Sequence, residues 1–161
     1  MTIGIRQTAL SLALFGCVAL AQAPAPALRA GGDVSRPLSL TLEELGRLPR
    51  ISVNVTGQGR YEGVLLYEIL QRAGAPLGKE LDGPALASYV VAEGHDGYQV
   101  VLTLTEIDPG FAGNQILVAD RLDGKPLPER LGPLRLVVPN EKRAARSVRM
   151  LERLTVVRLR K

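Results

Sequence analysis

The chain is almost without the side chains that build disulfides, soft metal sites and thiol nucleophiles. It has one cysteine, Cys17, one histidine, His95, and no tryptophan. Cys17 lies within an N-terminal apolar run, so removal of that run leaves no thiol at all. Disulfides, thiolate metal sites and cysteine catalysis are then excluded together. Zinc needs several Cys, His or carboxylate ligands, and one histidine is a poor start. Also missing are a Gly-x-Ser-x-Gly elbow and a phosphate-binding loop ending in Lys-Ser/Thr. Ser35, Ser39, Ser52, Ser88 and Ser147 occupy no nucleophile turn, and Asp96 follows His95 too closely to orient its ring as a triad requires. Glu93, Asp96, Glu106 and Asp108 read as solvated loop acids, not as a glycosidase pair. Aromatics beyond residue 23 are Phe111 and four tyrosines, so Leu and Val must fill the core.

What the N-terminus does contain is a processing signal. Arg6 precedes an apolar run from Thr8 to Ala21, and the small-x-small sites Ala19-Leu20-Ala21 and Ala21-Gln22-Ala23 follow. The run is shorter than the roughly 20 apolar residues of a membrane span and reads as a secretory signal peptide, residues 1–23. No later stretch qualifies as a transmembrane segment. The expected location is periplasmic or secreted. Leu14-Phe15-Gly16-Cys17 loosely resembles a lipobox, which gives lipid anchoring through Cys17 as the alternative. Export makes nucleic acid a poor partner. Residues 125–161 hold eleven Lys/Arg against three Glu, a net of +8, while residues 1–124 carry a net of −4. That is a basic face, open to solvent, anionic lipid or an acidic partner.

The 138 residues left after residue 23 suit one domain. Residues 24–37 are rich in Ala, Pro and Gly and read as a flexible lead, with the domain at 38–161. Thr41 and Glu44 have the spacing of a capping box for a short helix ended by Pro49. Ile51 to Thr56 alternates as a half-buried strand. Arg60 to Gly63 leads into a helix over 64–73, on which Leu65, Leu66, Ile69, Leu70 and Ala73 form one stripe, ended by Gly74. Tyr89 to Ala92 and Gln99 to Leu104 form a hairpin about an Asp96-Gly97 turn. Thr105 to Asp108 makes a single capped turn, and Ile116 to Ala119 is a buried run. Leu134 to Val138 is a strand stopped by Pro139, residues 140–146 are a polar loop or short turn, and Leu154 to Leu159 is the last strand. Five or six strands and two or three short helices without regular alternation give the α+β class.

The candidate binding residues cluster at the hairpin turn and among three arginines. His95, Asp96 and Tyr98 lie at the turn, histidine is a side chain suited to switching its charge, and loops on a firm sheet commonly carry binding groups. Arg135 interrupts an apolar strand, and Arg146 and Arg149 share the spacing of a short helical turn. Guanidinium forks suit anions. The competing account is structural: Asp96 caps the turn, Tyr98 packs on the core and Arg135 is a solvated strand residue.

Five stretches in order resemble the molybdopterin-binding domain of the sulfite oxidase type. They are Tyr61-Glu62-Gly63-Val64-Leu65-Leu66-Tyr67-Glu68-Ile69-Leu70, Asp96-Gly97-Tyr98, Asp123-Gly124-Lys125-Pro126-Leu127, Gly132 to Pro139, and Ser147-Val148-Arg149-Met150-Leu151. The resemblance they carry covers roughly residues 38–159. The resemblance implies an α+β fold whose cofactor lies in a cleft formed largely by loops, with molybdenum held through one cysteine after the strand preceding the Tyr-Glu-Gly-Val segment. Here that neighbourhood reads Asn54-Val55-Thr56-Gly57-Gln58-Gly59, with no cysteine. A soft thiolate suits such a metal. The expectation is therefore an exported, non-catalytic relative that carries no cofactor and no metal and binds a small anionic ligand or a periplasmic protein. A molybdopterin-dependent oxidoreductase, or its accessory subunit, with an atypical cofactor site is the alternative. One histidine and no dinucleotide fingerprint also argue against haem and flavin.

The mature N-terminus is expected at Pro24, with Gln22 as second choice. Intact-mass measurement of the exported protein checks this. A mass that includes residues 1–23 rules it out, and a lipid on Cys17 gives the anchored form instead.

Overall fold

A computed structural model describes residues 25–159; the expected signal peptide and its cleavage sites lie outside the described residues. In chain order the elements are β1 (Leu28–Gly32), β2 (Leu38–Leu40), α1 (Leu42–Gly46), β3 (Arg50–Val55), β4 (Gly59–Leu65), α2 (Leu66–Ala73), β5 (Ser88–Gly94), β6 (Gln99–Thr103), α3 (Leu104–Ile107), β7 (Leu117–Leu122), β8 (Lys125–Pro126), β9 (Arg135–Val137) and β10 (Leu151–Arg158). Short 3-10 turns occupy Gly78–Glu80, Gly83–Ala87 and Ala144–Arg146. Two five-stranded sheets result. The first has the order β2-β1-β10-β5-β6, and the second β3-β4-β7-β8 with β9 also on β7. This is the α+β architecture expected from the irregular mixture of strands and short helices.

One face of each sheet, together with α2, encloses the main core. Leu28 and Ala30 of β1, Val90 and Ala92 of β5, Leu154 and Val156 of β10 and Leu66, Ile69 and Leu70 of α2 meet there. Val64, Val118 and Leu136 enter it from the second sheet. The period-two pattern is clear in β5, where Val90 and Ala92 are buried and Tyr89, Val91 and Glu93 are half-buried. The other face of the second sheet has its own apolar cluster of Val53, Tyr61, Leu117, Ala119 and Val137.

Local chemistry sets the helix ends. At α1 the Thr41 hydroxyl accepts from the Glu44 amide at 3.2 Å, and the Glu44 carboxylate accepts from the Thr41 amide at 2.8 Å. The same reciprocal box recurs at α3 between Thr103 and Glu106. That helix starts earlier than the Thr105–Asp108 turn read from the sequence, because the cap is Thr103. In α2, Glu68 and Arg72 pair across one turn at 2.6 Å, and Gly74 ends the helix in the left-handed region at φ 73°.

Three segments differ from the sequence reading. The flexible lead expected at 24–37 contains β1, which runs parallel to β10 with Gly31 opposite Thr155. Its short, glycine-containing sequence shows no periodicity by itself; a partner more than 120 positions away makes it a strand. Gly32 suits the place, since a Cβ there would lie 2.1 Å from the Val156 carbonyl oxygen. The helix expected from Val64 begins at Leu66, and Arg60 to Leu65 belong to β4, paired with β3 and β7. The apolar residues at 64 and 65 fit a helical stripe and a strand equally well. Finally, β10 begins at Leu151, not at Leu154.

Gly63 is the tightest point of the second sheet. A Cβ there would lie 2.1 Å from the Val118 carbonyl oxygen, whereas a Cβ at Gly46 would meet nothing within 4 Å. Gly63→Ala is expected to destabilise the domain by roughly 2–4 kcal/mol, since backbone must move, and Gly46→Ala by less than about 1 kcal/mol. Urea unfolding of both variants measures the difference; equal midpoints would refute the close approach.

Candidate functional site

The β5–β6 turn is built by its own side chain. The Asp96 carboxylate accepts from the Tyr98 amide at 3.1 Å, and the Gly97 amide donates to the Gly94 carbonyl at 3.0 Å. Gly97, at φ 78°, supplies the left-handed residue that the turn needs. Two contacts then fasten the turn to distant chain. The His95 amide donates to the Met150 carbonyl at 2.9 Å, and the Tyr98 hydroxyl donates to the Ala145 carbonyl at 2.7 Å.

Between the turn and residues 144–149 lies a cleft of about 300 Å³, lined by Asp96, Tyr98, Ala144, Ala145, Ser147 and Arg149. Three of the residues singled out in the sequence, Asp96, Tyr98 and Arg149, therefore meet at one place. Among the described residues, no carboxylate lies within ion-pair distance of Arg149. The Ser147 hydroxyl accepts from the Val138 amide at 3.1 Å, which retains its own proton for donation.

The other three candidates occupy different settings. His95 stands on the outside of the turn, where its Nδ1 lies 2.6 Å from a Glu152 carboxylate oxygen and the side chain is largely exposed. Arg146 borders the cleft through its backbone neighbours, but its guanidinium is clasped by Glu141 and by Glu106, the latter at 2.9 Å. These carboxylates raise its pKa above the ordinary arginine value. Arg135 is buried, with only 8% of its surface exposed, and so is not the solvated strand residue of the structural account. It donates to the Tyr61 hydroxyl and, at 3.2 Å, to the Gln58 side-chain oxygen, with its guanidinium carbon 5.1 Å from the centre of the Tyr61 ring. Its Nε has no hydrogen-bond partner among the described residues. Burial lowers its pKa from the ordinary value, Tyr61 opposes this, and Arg149 and Arg130 add to the lowering. Arg135 and Arg149 thus feel one another's charge although they lie in different surroundings.

Sequence reasoning missed Gln58, Tyr61 and Glu152 as partners of these residues. Tyr61 lies in the stretch read only as leading into a helix, and Gln58 reads only as part of a Gly-Gln-Gly turn. Pairings of 57 to 77 positions leave no local periodicity.

The family profile of the oxidoreductase molybdopterin-binding domain matches residues 53–161. The chain belongs to that family. Among solved structures, the sulfane dehydrogenase SoxCD from Paracoccus pantotrophus has a similar fold, with a TM-score of 0.62 at 23% identity. The likeness covers 80% of this chain and 37% of that chain. No curated protein matches the chain.

The family implies molybdopterin, and the donors present do not fit the metal. No cysteine stands among the described residues, and the turn where the resemblance implies a thiolate carries Gln58, whose oxygen is already engaged by Arg135. Among the described residues there is also no group of three or more His, Cys, Asp or Glu able to hold a metal ion. A carboxamide is a hard, neutral donor and no substitute for a thiolate.

Glu106 gives the site's setting a pH signature. Burial raises its pKa, but the Thr103 amide, Arg146 and the Thr103 hydroxyl outweigh that and hold it below the ordinary value of 4.5. A carboxylate depressed in the folded state stabilises the fold above its unfolded pKa, and that contribution is lost as pH falls through the folded pKa. The wild type should therefore lose stability as pH drops below about 4.5, and Glu106→Gln should lose less over the same window. Urea midpoints between neutrality and acid pH test it; parallel curves for both proteins would exclude this role for Glu106.

Proposed function

We propose that this protein is an exported, non-catalytic member of the family, a binding module that takes a small anionic ligand in the cleft beside the β5–β6 turn. The observation that carries the reading is the placement of Arg149. It lines the cleft with no carboxylate in ion-pair distance among the described residues, and Arg135, on which its charge acts, is a second cation without an acidic partner among them. A guanidinium in a polar cleft favours an anion, and a second unneutralised cation nearby raises the local potential. Tyr98 supplies an amphipathic wall and Ser147 a donor hydroxyl. Asp96, tied to the Tyr98 amide, keeps the turn in shape and disfavours ligands that place negative charge against it.

Arg146 has a different part. With its guanidinium held by Glu106 and Glu141, it anchors the 3-10 turn that forms one wall. His95 lies on the rim, paired with Glu152. The lack of a soft donor near Gln58 is the reason for reading the module as non-catalytic. The apolar run ahead of Pro24 motivates an exported location, periplasmic or secreted, with anchoring through Cys17 as the other form.

Two measurements on protein isolated from its own host test the proposal. Metal analysis is expected to find far less than one molybdenum per chain; a stoichiometric amount would overturn the non-catalytic reading in favour of an atypical oxidoreductase. Calorimetry with inorganic phosphate and with sulfate is expected to show saturable binding that Arg149→Met reduces by about tenfold or more, the scale of a lost charge-assisted hydrogen bond. Arg146→Gln should weaken it less, through the wall alone. If neither anion binds the wild type, or if Arg149→Met binds as wild type does, the cleft is not an anion site.

A further inference from the structure

The edges of the two sheets are not equally protected. An unpaired edge strand invites pairing with another chain, and proteins commonly block it with short strands, charge, proline or a covering segment. β2 is three residues long and follows Pro37. β3 carries Arg50, which bridges to Asp120. β8 is the two residues Lys125 and Pro126. The free side of β9 is covered by residues 148–151, where the Leu136 amide donates to the Val148 carbonyl and the Leu151 amide to the Leu134 carbonyl, both at 2.8 Å. Among the described residues, β6 has none of these. It is Gln99-Val100-Val101-Leu102-Thr103, without charge, glycine or proline, and it ends its sheet.

The register shows which groups are left over. The Gly94 amide donates to the Tyr98 carbonyl, so in this antiparallel ladder the close hydrogen-bonded pairs continue at Ala92–Val100 and Val90–Leu102. Gln99, Val101 and Thr103 therefore turn their amides and carbonyls outward. The Thr103 amide is already taken by Glu106 in the α3 capping box. Two residues, Gln99 and Val101, remain with neither backbone group bonded among the described residues. They are separated by one residue, the spacing at which a strand pairs with its own image. Antiparallel pairing about a two-fold axis at Val100 sets Gln99 opposite the second copy's Val101 and satisfies the outward amide and carbonyl of both residues on each strand. No like charges meet, because the strand has none.

The side chains agree with this. Val101 is 51% exposed, large for an apolar residue on a strand, and it continues a row with Val91 and Thr155 on the solvent face of the first sheet. Val100, on the core side, would meet its own counterpart at the axis and extend the apolar layer across the junction. We propose that β6 is a self-association edge, and that the partner it fits is a second copy of this chain, joined into one continuous ten-stranded sheet. The proposal is independent of the anion cleft.

Sedimentation velocity of the exported protein is expected to give twice the chain mass at about 100 µM, with dissociation on dilution as a micromolar equilibrium requires. Val101→Pro removes an outward amide that the β5 ladder does not use, so it should give a folded monomer. Val101→Lys places charge on the edge and should do the same should the proline variant fail to fold. Amide exchange supplies a second readout: Gln99 and Val101 should exchange about tenfold or more slowly in the concentrated sample than in the dilute one. A monomer throughout the range, a dimer that survives in either folded variant, or exchange at these two amides that ignores concentration would each overturn the proposal.

Discussion

The backbone of residues 147–151 laces the two sheets together, and the cleft exists because of it. Val148 and Leu151 pair with the strand that holds Arg135, through Leu136 and Leu134. Between them, the Met150 amide donates to Leu131 and its carbonyl accepts from His95 at the β5–β6 turn. Met150 pays for this position with a φ of 47°, a left-handed conformation rare for a residue with a side chain. Such a conformation persists only when surrounding contacts fix both sides of the residue, as they do here. Gly94 is fitted to the same junction, since a Cβ there would come within 2.6 Å of the Arg149 carbonyl oxygen. The position of Arg149 in the cleft is thus set by backbone bonds on both flanks, and its side chain does not have to hold the segment in place.

The three arginines singled out in the sequence show how differently one side chain can be used. Arg146 is neutralised by two carboxylates, and that arrangement binds its turn to the α3 capping box through Glu106. Arg135 is buried against a phenol and a carboxamide, neutral groups that supply hydrogen bonds without cancelling charge. Arg149 opens on solvent beside Tyr98. Uncompensated charge is costly inside a protein and cheap at a cleft mouth. Among the described residues Arg146 is paired with carboxylates, whereas no carboxylate lies within ion-pair distance of Arg135 or Arg149. The family's fold is retained here, and the turn at Gln58 carries a carboxamide engaged by Arg135 and no thiolate.

Much of the fold was legible because its causes are local. The Thr41–Glu44 box lies within four residues, and the Asp96-Gly97 turn is specified by the two residues that make it. The β5–β6 hairpin needs only alternation on either side of that turn. Of the site, Asp96, Tyr98 and Arg149 were named from turn chemistry and charge, but their convergence was not readable. It depends on Tyr98 reaching Ala145, 47 positions away. Arg135 was visible as a charge in an apolar strand, yet the same pattern is compatible with a solvated face. Its burial follows from β9 lying on β7 with Tyr61 on the next strand.

By itself the sequence determined the α+β class, the Thr41–Glu44 helix cap, the central hairpin and the absence of a thiol after residue 17. These follow from composition and from interactions spanning a few residues, where covalent spacing nearly fixes the geometry. Only the tertiary structure decided that Leu28–Gly32 is a strand, since the C-terminal β10 supplies its partner, and that Arg60 to Leu65 extend as β4 instead of joining α2. It also decided which arginine is paired, which is buried and which opens on the cleft. Hydrogen bonds and charge pairs over 40 to 125 positions have no signature in local pattern; they arise when burial of the apolar faces brings the sheets into register.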